Sequence, residues 1–81
     1  MRVFEYRVCN VQQARVTFVD GAWQGSVPLS EANEQSDPFQ YCAQVWDYLR
    51  LAGQEGWEVV SAVTHARAEA DYEVLYLKRE I

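Results

Sequence analysis

The sequence holds few of the residues that build catalytic and metal sites. It has one histidine, two cysteines, four glycines and two prolines among 81 residues. A single histidine, His65, excludes a multi-histidine metal site within one protomer, and Cys9 and Cys42 form neither a CxxC motif nor a disulfide framework. Gly-rich phosphate loops and GxSxG, HExxH or Walker patterns are absent as well. The sequence therefore predicts no cofactor, no metal and no catalytic activity.

Basic residues are also scarce. Seven Lys and Arg against twelve Asp and Glu give a net charge of −5, and proteins that bind nucleic acids or anionic membranes need clustered basic side chains. We therefore expect an acidic protein without nucleic-acid or membrane partners. Apolar runs of only a few residues exclude a transmembrane span, and the charged N-terminus lacks the apolar segment of a signal peptide. These features predict a cytoplasmic location, in which both cysteines stay reduced.

Apolar and aromatic residues, by contrast, are plentiful. They make up 49% and 14% of the chain, a composition typical of a folded domain. A chain of 81 residues suffices for one domain, residues 1–81, and not for two. A folded chain of this size hides only roughly 60–65% of the surface that its unfolded form exposes, so a lone monomer is expected to be marginally stable.

The N-terminal segment Val3–Cys9 alternates in the manner of a β-strand. Apolar side chains fall on one side and charged ones on the other: Phe4, Tyr6 and Val8 against Glu5 and Arg7. A single amphipathic strand of this kind needs partners, and the next segments supply them.

A β-hairpin is predicted after this strand. Arg15–Val19 and Ala22–Gln24 are β-prone and flank Asp20-Gly21, a dipeptide that favours a two-residue hairpin turn. Pro28–Asp37 is polar and acidic without an apolar period, which predicts a loop.

One helix is predicted next. Ser36-Asp37-Pro38 combines a capping oxygen with proline at the first helical position. Gly56 predicts the helix end, because glycine adopts the left-handed conformation at no steric cost, and Gly53 is expected to let the helix approach the sheet closely. Apolar residues recur between these points at helical spacing: Phe39, Cys42, Ala43, Val45, Trp46, Leu49 and Gly53.

Two strands close the chain, Trp57–Ala66 with Trp57, Val59 and Val63 on one face, and Tyr72–Arg79. The fold class is therefore α+β, a small antiparallel sheet packed by one helix, in the order strand, hairpin, helix, strand, strand.

More apolar surface is present than one helix on one sheet requires. Tyr41, Val45, Tyr48 and Ala52 widen the apolar stripe of the helix to about 200° of arc, beyond the usual ~100°. Both C-terminal strands are apolar on both faces, and one helix covers only one of them. We expect a homo-oligomer, with a dimer favoured; the alternative is that the Arg15–Val27 hairpin folds across the second face. The predicted interface residues are Tyr41, Tyr48, Leu51, Leu75 and Leu77.

The segment Leu49–Val60 reads Leu-Arg-Leu-Ala-Gly-Gln-Glu-Gly-Trp-Glu-Val-Val. Together with Phe4–Val8 and Leu75–Arg79, it resembles a family of small bacterial proteins catalogued as domain of unknown function 4177. Members of that family are similar in their aromatic N-terminal strand, a helix running into Gly-x-x-Gly-Trp-Glu-Leu-Val, and a closing strand ending in Lys-Arg. Val59 stands where the family commonly has leucine, and Arg15–Asp37 looks like the insertion of a longer subgroup. The resemblance implies a fold and brings no activity with it.

Three functions remain open. The first is a non-catalytic oligomeric accessory or interaction module, because surplus aromatic surface without catalytic motifs is typical of interfaces. The second is a small-ligand binding protein with pockets between protomers, which would take a nucleotide-like anion. The third is an enzyme, for which Glu55, Glu58 and His65 are the available acid–base groups. The candidate ligand-binding residues are Trp23, Tyr41, Tyr48, Arg50 and Trp57, of which Trp57 is also expected, with Gly53 and Gly56, to act structurally.

Overall fold

A computed structural model describes residues 1–25, 38–66 and 71–81 of the chain. In these ranges the elements are β1 Phe4–Gln12, β2 Arg15–Val19, β3 Ala22–Trp23, α1 Val45–Gln54, β4 Glu58–Ala66 and β5 Asp71–Glu80. The five strands form one antiparallel sheet in the order β3-β2-β1-β5-β4. The α+β class is confirmed. The expected order of elements holds only in part, because a short 3-10 helix at Pro38–Tyr41 precedes the α-helix.

The Asp20-Gly21 hairpin is confirmed. Both residues have positive φ, 50° and 82°, which is the type I′ turn that matches the twist of the flanking strands. β2 pairs with β1. As far as Trp23, the hairpin therefore lies in the plane of the sheet and extends its edge. The alternative in which the Arg15–Val27 hairpin covers the second face is therefore wrong for the described part of the hairpin. The predicted loop Pro28–Asp37 lies outside the described residues.

The helix begins later than the sequence pattern predicts. Its expected cap, Ser36-Asp37, lies outside the described residues, and α1 starts only at Val45. The chain before it is held extended by backbone hydrogen bonds: Val16 N–H donates to the Ala43 carbonyl (2.9 Å), and Val45 N–H donates to the Ala14 carbonyl (2.8 Å). These contacts with the β1–β2 turn override the helical spacing of residues 39–44.

The later start also sets which side of α1 faces the sheet. Val45, Tyr48 and Leu49 pack against the core, and Ala52 is buried within it. Trp46, expected on the core-facing stripe, is 53% exposed. Tyr48, expected on the outer side, is half-buried and faces the sheet, so its prediction as an interface residue is wrong.

The C-terminus of α1 confirms the predicted role of Gly56. Gly56 has φ +93°. Its N–H donates to the Gly53 carbonyl, and the Trp57 N–H donates to the Ala52 carbonyl, both at 3.0 Å, which is a Schellman motif. Gly53 does not have its predicted role, because it is exposed and a Cβ atom there would meet nothing within 4 Å. The helix–sheet contact is made by Ala52 instead.

The face of the sheet toward α1, here the inner face, carries the core. Its buried residues are Cys9, Val11, Val16, Ala52, Trp57, Leu75 and Leu77. Leu75 lies opposite Cys9 and Leu77 opposite Arg7 in the β1–β5 ladder. Both leucines are buried within the protomer, so their prediction as interface residues is wrong. The alternation of β5 places its tyrosines, not its leucines, on the second face.

The second face, here the outer face, is left bare by α1. Tyr6 and Val8 of β1, Tyr76 of β5 and Val63 of β4 are exposed there, around a buried Val74. A register shift between Val59 and Ser61 separates Val59 from Val63, which were expected on one face. Val59 lies opposite Leu77 on the inner face and Val63 opposite Val74 on the outer one, because the bulge inserts one residue into the alternation.

Candidate functional site

Two arginines meet over Trp57 on the inner face. The guanidinium carbons of Arg7 and Arg79 lie 4.4 Å and 4.5 Å from the centroid of the indole ring, within the range of cation–π attraction. β1 and β5 bring the arginines there, and the Schellman turn delivers Trp57 as the residue just before β4. Trp57 is buried and belongs to the core, as its structural interpretation predicts.

Arg7 is tied to the helix and to the hairpin turn. Its Nη1 donates to the Tyr48 hydroxyl at 3.0 Å, and its Nε lies 3.9 Å from Asp20 Oδ2. Burial opposes the charge of the guanidinium, but the Tyr48 hydroxyl and the Asp20 carboxylate together raise the pKa of Arg7. The same hydroxyl accepts from the Cys9 thiol at 3.7 Å. Arg7 is therefore a charged connector between β1, α1 and the β2–β3 turn.

Arg79 performs the same task at the other end of the helix. Its Nε donates to Glu5 Oε1, and its Nη1 donates to the Glu55 carbonyl at 3.1 Å. The Glu55 carbonyl lies at the C-terminus of α1, where a cation is favourable. Both arginines are thus engaged by protein groups, which is typical of a structural cluster.

Two donors of this cluster lack an acceptor among the described residues. They are Arg7 Nε and Trp57 Nε1, both buried. Buried donors are usually satisfied by protein or water. Nothing in the sequence pairs Arg7 with Trp57 and Tyr48, because that grouping depends on the phase of α1.

The candidate acid–base and thiol groups are dispersed. Cys9 and Cys42 are both buried, and burial raises the pKa of Cys9, which disfavours the reactive thiolate. His65 stacks on Tyr72 on the outer face, with ring centroids 4.8 Å apart. Glu58 pairs with Lys78 at 3.6 Å. Within the ranges that the structure covers, no group of three His, Cys, Asp or Glu side chains is placed to hold a metal ion.

The five candidate ligand-binding residues do not form one site. Tyr48 and Trp57 meet through Arg7. Trp23 lies at the opposite edge of the sheet, with ring centroids 5.4 Å from Phe18 and 6.1 Å from Phe39. Tyr41 and Arg50 are exposed. The aromatic residues that sequence reasoning grouped for stacking are therefore distributed between the core, the sheet edge and the surface.

A shallow cavity of about 200 Å³ lies beside the β1–β2 turn. Gln13 and Ala14 of that turn have positive φ, 54° and 60°, and the acidic residues Asp71 and Glu73 also line the cavity. Two carboxylates repel anions, so this cavity does not suit the nucleotide-like ligand expected from the sequence.

The outer face exposes apolar side chains from three neighbouring strands. Phe4 lies against Lys78, with Nζ 4.7 Å from the ring centroid, and Tyr6 beyond it is 67% exposed. Val8 and Tyr76 are directly opposite each other in the β1–β5 ladder. The charged side chains of β5 on this face, Lys78 and Glu80, lie at its C-terminal end. The middle of the face is uncharged.

Comparisons with family models, with curated proteins and with solved structures find no match to this chain. The resemblance to the family of unknown function therefore stays a prediction. Among the residues that the structure describes, no helix is long and apolar enough to cross a membrane.

Proposed function

We propose that the protein is a non-catalytic interaction module that self-associates through its outer face. The observation that carries this proposal is the exposure of apolar side chains on three neighbouring strands. Tyr6 and Val8 on β1, Tyr76 on β5 and Val63 on β4 all project from the side that α1 does not cover. Exposed apolar patches of this kind mark interaction sites.

The size and charge of the outer face support a second copy as its occupant. Strands β1, β5 and β4 have nine or ten residues each and cover roughly 500 Å² in projection. Side-chain relief raises that area toward the about 600–1,000 Å² per partner of a stable interface. Interface centres are depleted of charge, as the centre of this face is. A twofold axis pairs the outer face with the same face of a second copy, so the two copies carry the same net charge of −5. This charge does not prevent association, because the charged side chains lie at the rim of the face.

The test is the mass of the protein in solution, measured by light scattering at micromolar concentration. We expect at least twice the protomer mass of 9.4 kDa. Val8→Glu should reduce it to the protomer mass, because Val8 lies opposite Tyr76 in the uncharged middle of the face, where a buried carboxylate lacks a partner. Leu51→Glu is the control: Leu51 on α1 is 60% exposed, against 37% for Val8, and lies away from the outer face.

Two results contradict the proposal. A wild-type protein that stays at 9.4 kDa, with a melting temperature independent of concentration, removes the oligomer. Dissociation by Leu51→Glu and not by Val8→Glu moves the interface to the exposed side of α1, where Leu51 was predicted to contribute. Far-UV circular dichroism of both variants verifies that they fold.

A second candidate is binding of a small molecule, and the two donors Arg7 Nε and Trp57 Nε1, buried within the protomer on the inner face, support it. One ligand oxygen near the indole and the guanidinium would accept from them. Native mass spectrometry of protein purified from its own host should then show a bound mass that Arg7→Lys releases, since lysine cannot present the guanidinium Nε. Unliganded protein under native conditions contradicts this candidate.

A further inference from the structure

The two edges of the sheet differ sharply. One edge is β3, only two residues long, and short edge strands resist unwanted pairing. The other edge is β4, with nine residues. In the described ranges, β4 pairs with β5 on one side and with no strand on the other. Its outer N–H and C=O groups form an open template for another strand.

β4 carries little of what protects an open edge. Charged side chains, proline, bulges or a covering element are the usual devices. Glu58, at the first position, is the only Asp, Glu, Lys or Arg of β4, and the bulge at Val60 lies in the first third of the strand. Ser61–Ala66 beyond the bulge is regular, without proline, glycine, lysine or arginine. All residues of β4 except His65 are exposed, so neither face of this strand is covered by α1.

We propose that β4 pairs antiparallel with β4 of a second copy, about a twofold axis through Val63, to form a continuous ten-stranded sheet. This inference rests on the proposed function, because both require that the protein self-associates. Pairing of the β4 edges is a second contact between copies, distinct from contact of the outer faces. A twofold axis normal to the sheet places two outer faces side by side and does not stack them. The outer-face and edge contacts together produce a dimer of dimers.

The register follows from the faces. Residues directly opposite in an antiparallel pair share a face, so the outer-face residue Val63 must oppose another outer-face residue. A centre at Val63 uses the regular segment symmetrically. Val63 then opposes the partner's Val63, Ala62 opposes the partner's Thr64, and Ser61 opposes the partner's His65. No like charges are opposed in this register.

The charges of the two copies are also well separated in this arrangement. Glu58 and the partner's Glu58 lie at opposite ends of the paired strands, roughly 33 Å apart for ten residues of strand. This separation is about three to four Debye lengths at physiological salt. A strand of any other protein would need apolar residues in the matching register and no charge opposed to one of like sign. A second copy of β4 meets both conditions.

The test is disulfide trapping with matched cysteine variants. In the proposed register, Val63→Cys places two thiols on the axis with Cα atoms about 4.5–5.5 Å apart, within the range of a disulfide. Val60→Cys is the control: Val60 is 49% exposed against 41% for Val63, but its two copies lie roughly 20 Å apart. Mild oxidation should cross-link most of the Val63→Cys protein and leave the Val60→Cys protein and the wild type, whose own thiols are buried, uncross-linked.

Hydrogen exchange of the wild type distinguishes the edge from the outer face. If β4 is paired on both sides, the β4 amides that do not bond to β5 exchange on the order of 100-fold more slowly than free amides. A protein that is oligomeric by mass but exchanges these amides at free rates, or that cross-links equally at positions 60 and 63, overturns the edge pairing and leaves the proposed function intact. A monomeric mass overturns both.

Discussion

Replacing Gly56 by alanine tests the junction on which the core depends. Gly56 has φ +93°, and a Cβ atom there would approach only Arg79 Cδ, at 3.9 Å. This is ordinary van der Waals contact, so the cost of Gly56→Ala comes from the left-handed backbone alone, about 1–2 kcal/mol. Gly53, three residues earlier in α1, has helical geometry and open space around its Cα. Gly53→Ala should stabilise the helix by up to about 1 kcal/mol.

The two alanine variants should therefore differ by about 2 kcal/mol, against a total stability of roughly 4–12 kcal/mol for a domain of this length. Thermal melts followed by circular dichroism, at one protein concentration because the protein is expected to self-associate, should separate the two melting temperatures by about 10 °C. Gly25 is unsuitable as a control, since a Cβ atom there would overlap the Trp23 ring. Equal melting temperatures would refute the assignment of a Schellman motif to this turn.

Three further predictions concern Tyr48 and the two cysteines. Tyr48→Phe removes the acceptor of Arg7 Nη1 and should lower the free energy of unfolding by about 1–3 kcal/mol. Tyr41→Phe on the exposed surface is the control and should change the free energy of unfolding by less than about 0.5 kcal/mol. Equal effects of the two substitutions in urea titrations would show that the Tyr48 hydroxyl contact contributes nothing. Cys9 and Cys42 are buried and should be inert to Ellman's reagent in the native protein and reactive in guanidinium. Burial raises the pKa of Cys9, so as the pH rises the thiol of the unfolded chain loses its proton before the thiol of the folded protein does. The contribution of Cys9 to the free energy of unfolding is therefore fully present below about pH 8.5 and should fall as the pH rises above it. A urea midpoint that is constant to pH 10 would contradict this.

Local signals gave the parts of the fold that sequence reasoning predicted correctly. Asp20-Gly21 and Gly56 each adopt a backbone conformation that few residues adopt without cost. A dipeptide or a single glycine is therefore enough to identify the turn. Trp57 follows from Gly56, because the Schellman turn directs the next residue back over the helix.

Non-local contacts decided what the sequence could not show. The start of α1 depends on two backbone hydrogen bonds, donated by Val45 N–H and accepted by the Ala43 carbonyl, whose partners lie some thirty positions earlier. No window of helical periodicity contains both ends of such a contact. The start sets the helix phase, which turns Tyr48 inward to Arg7 and leaves Trp46 outside. A bulge at Val60 likewise moves Val63 to the other face. The candidate residues could be chosen by type, but their grouping depends on these two shifts of register.

The position of β1 in the middle of the sheet has a consequence for how the chain folds. β1 pairs with β5 from Phe4 opposite Glu80 to Val11 opposite Glu73, so the central ladder joins segments more than sixty residues apart. Loops of this length must close before the ladder contributes any stability, which slows folding relative to domains with local contacts. During synthesis β1 can pair with β2 alone until β5 has left the ribosome. In that interval the edge of β1 that later pairs with β5 is open, with Tyr6 and Val8 beside it. A chaperone that shields β1 would act at the stage at which this strand is most exposed.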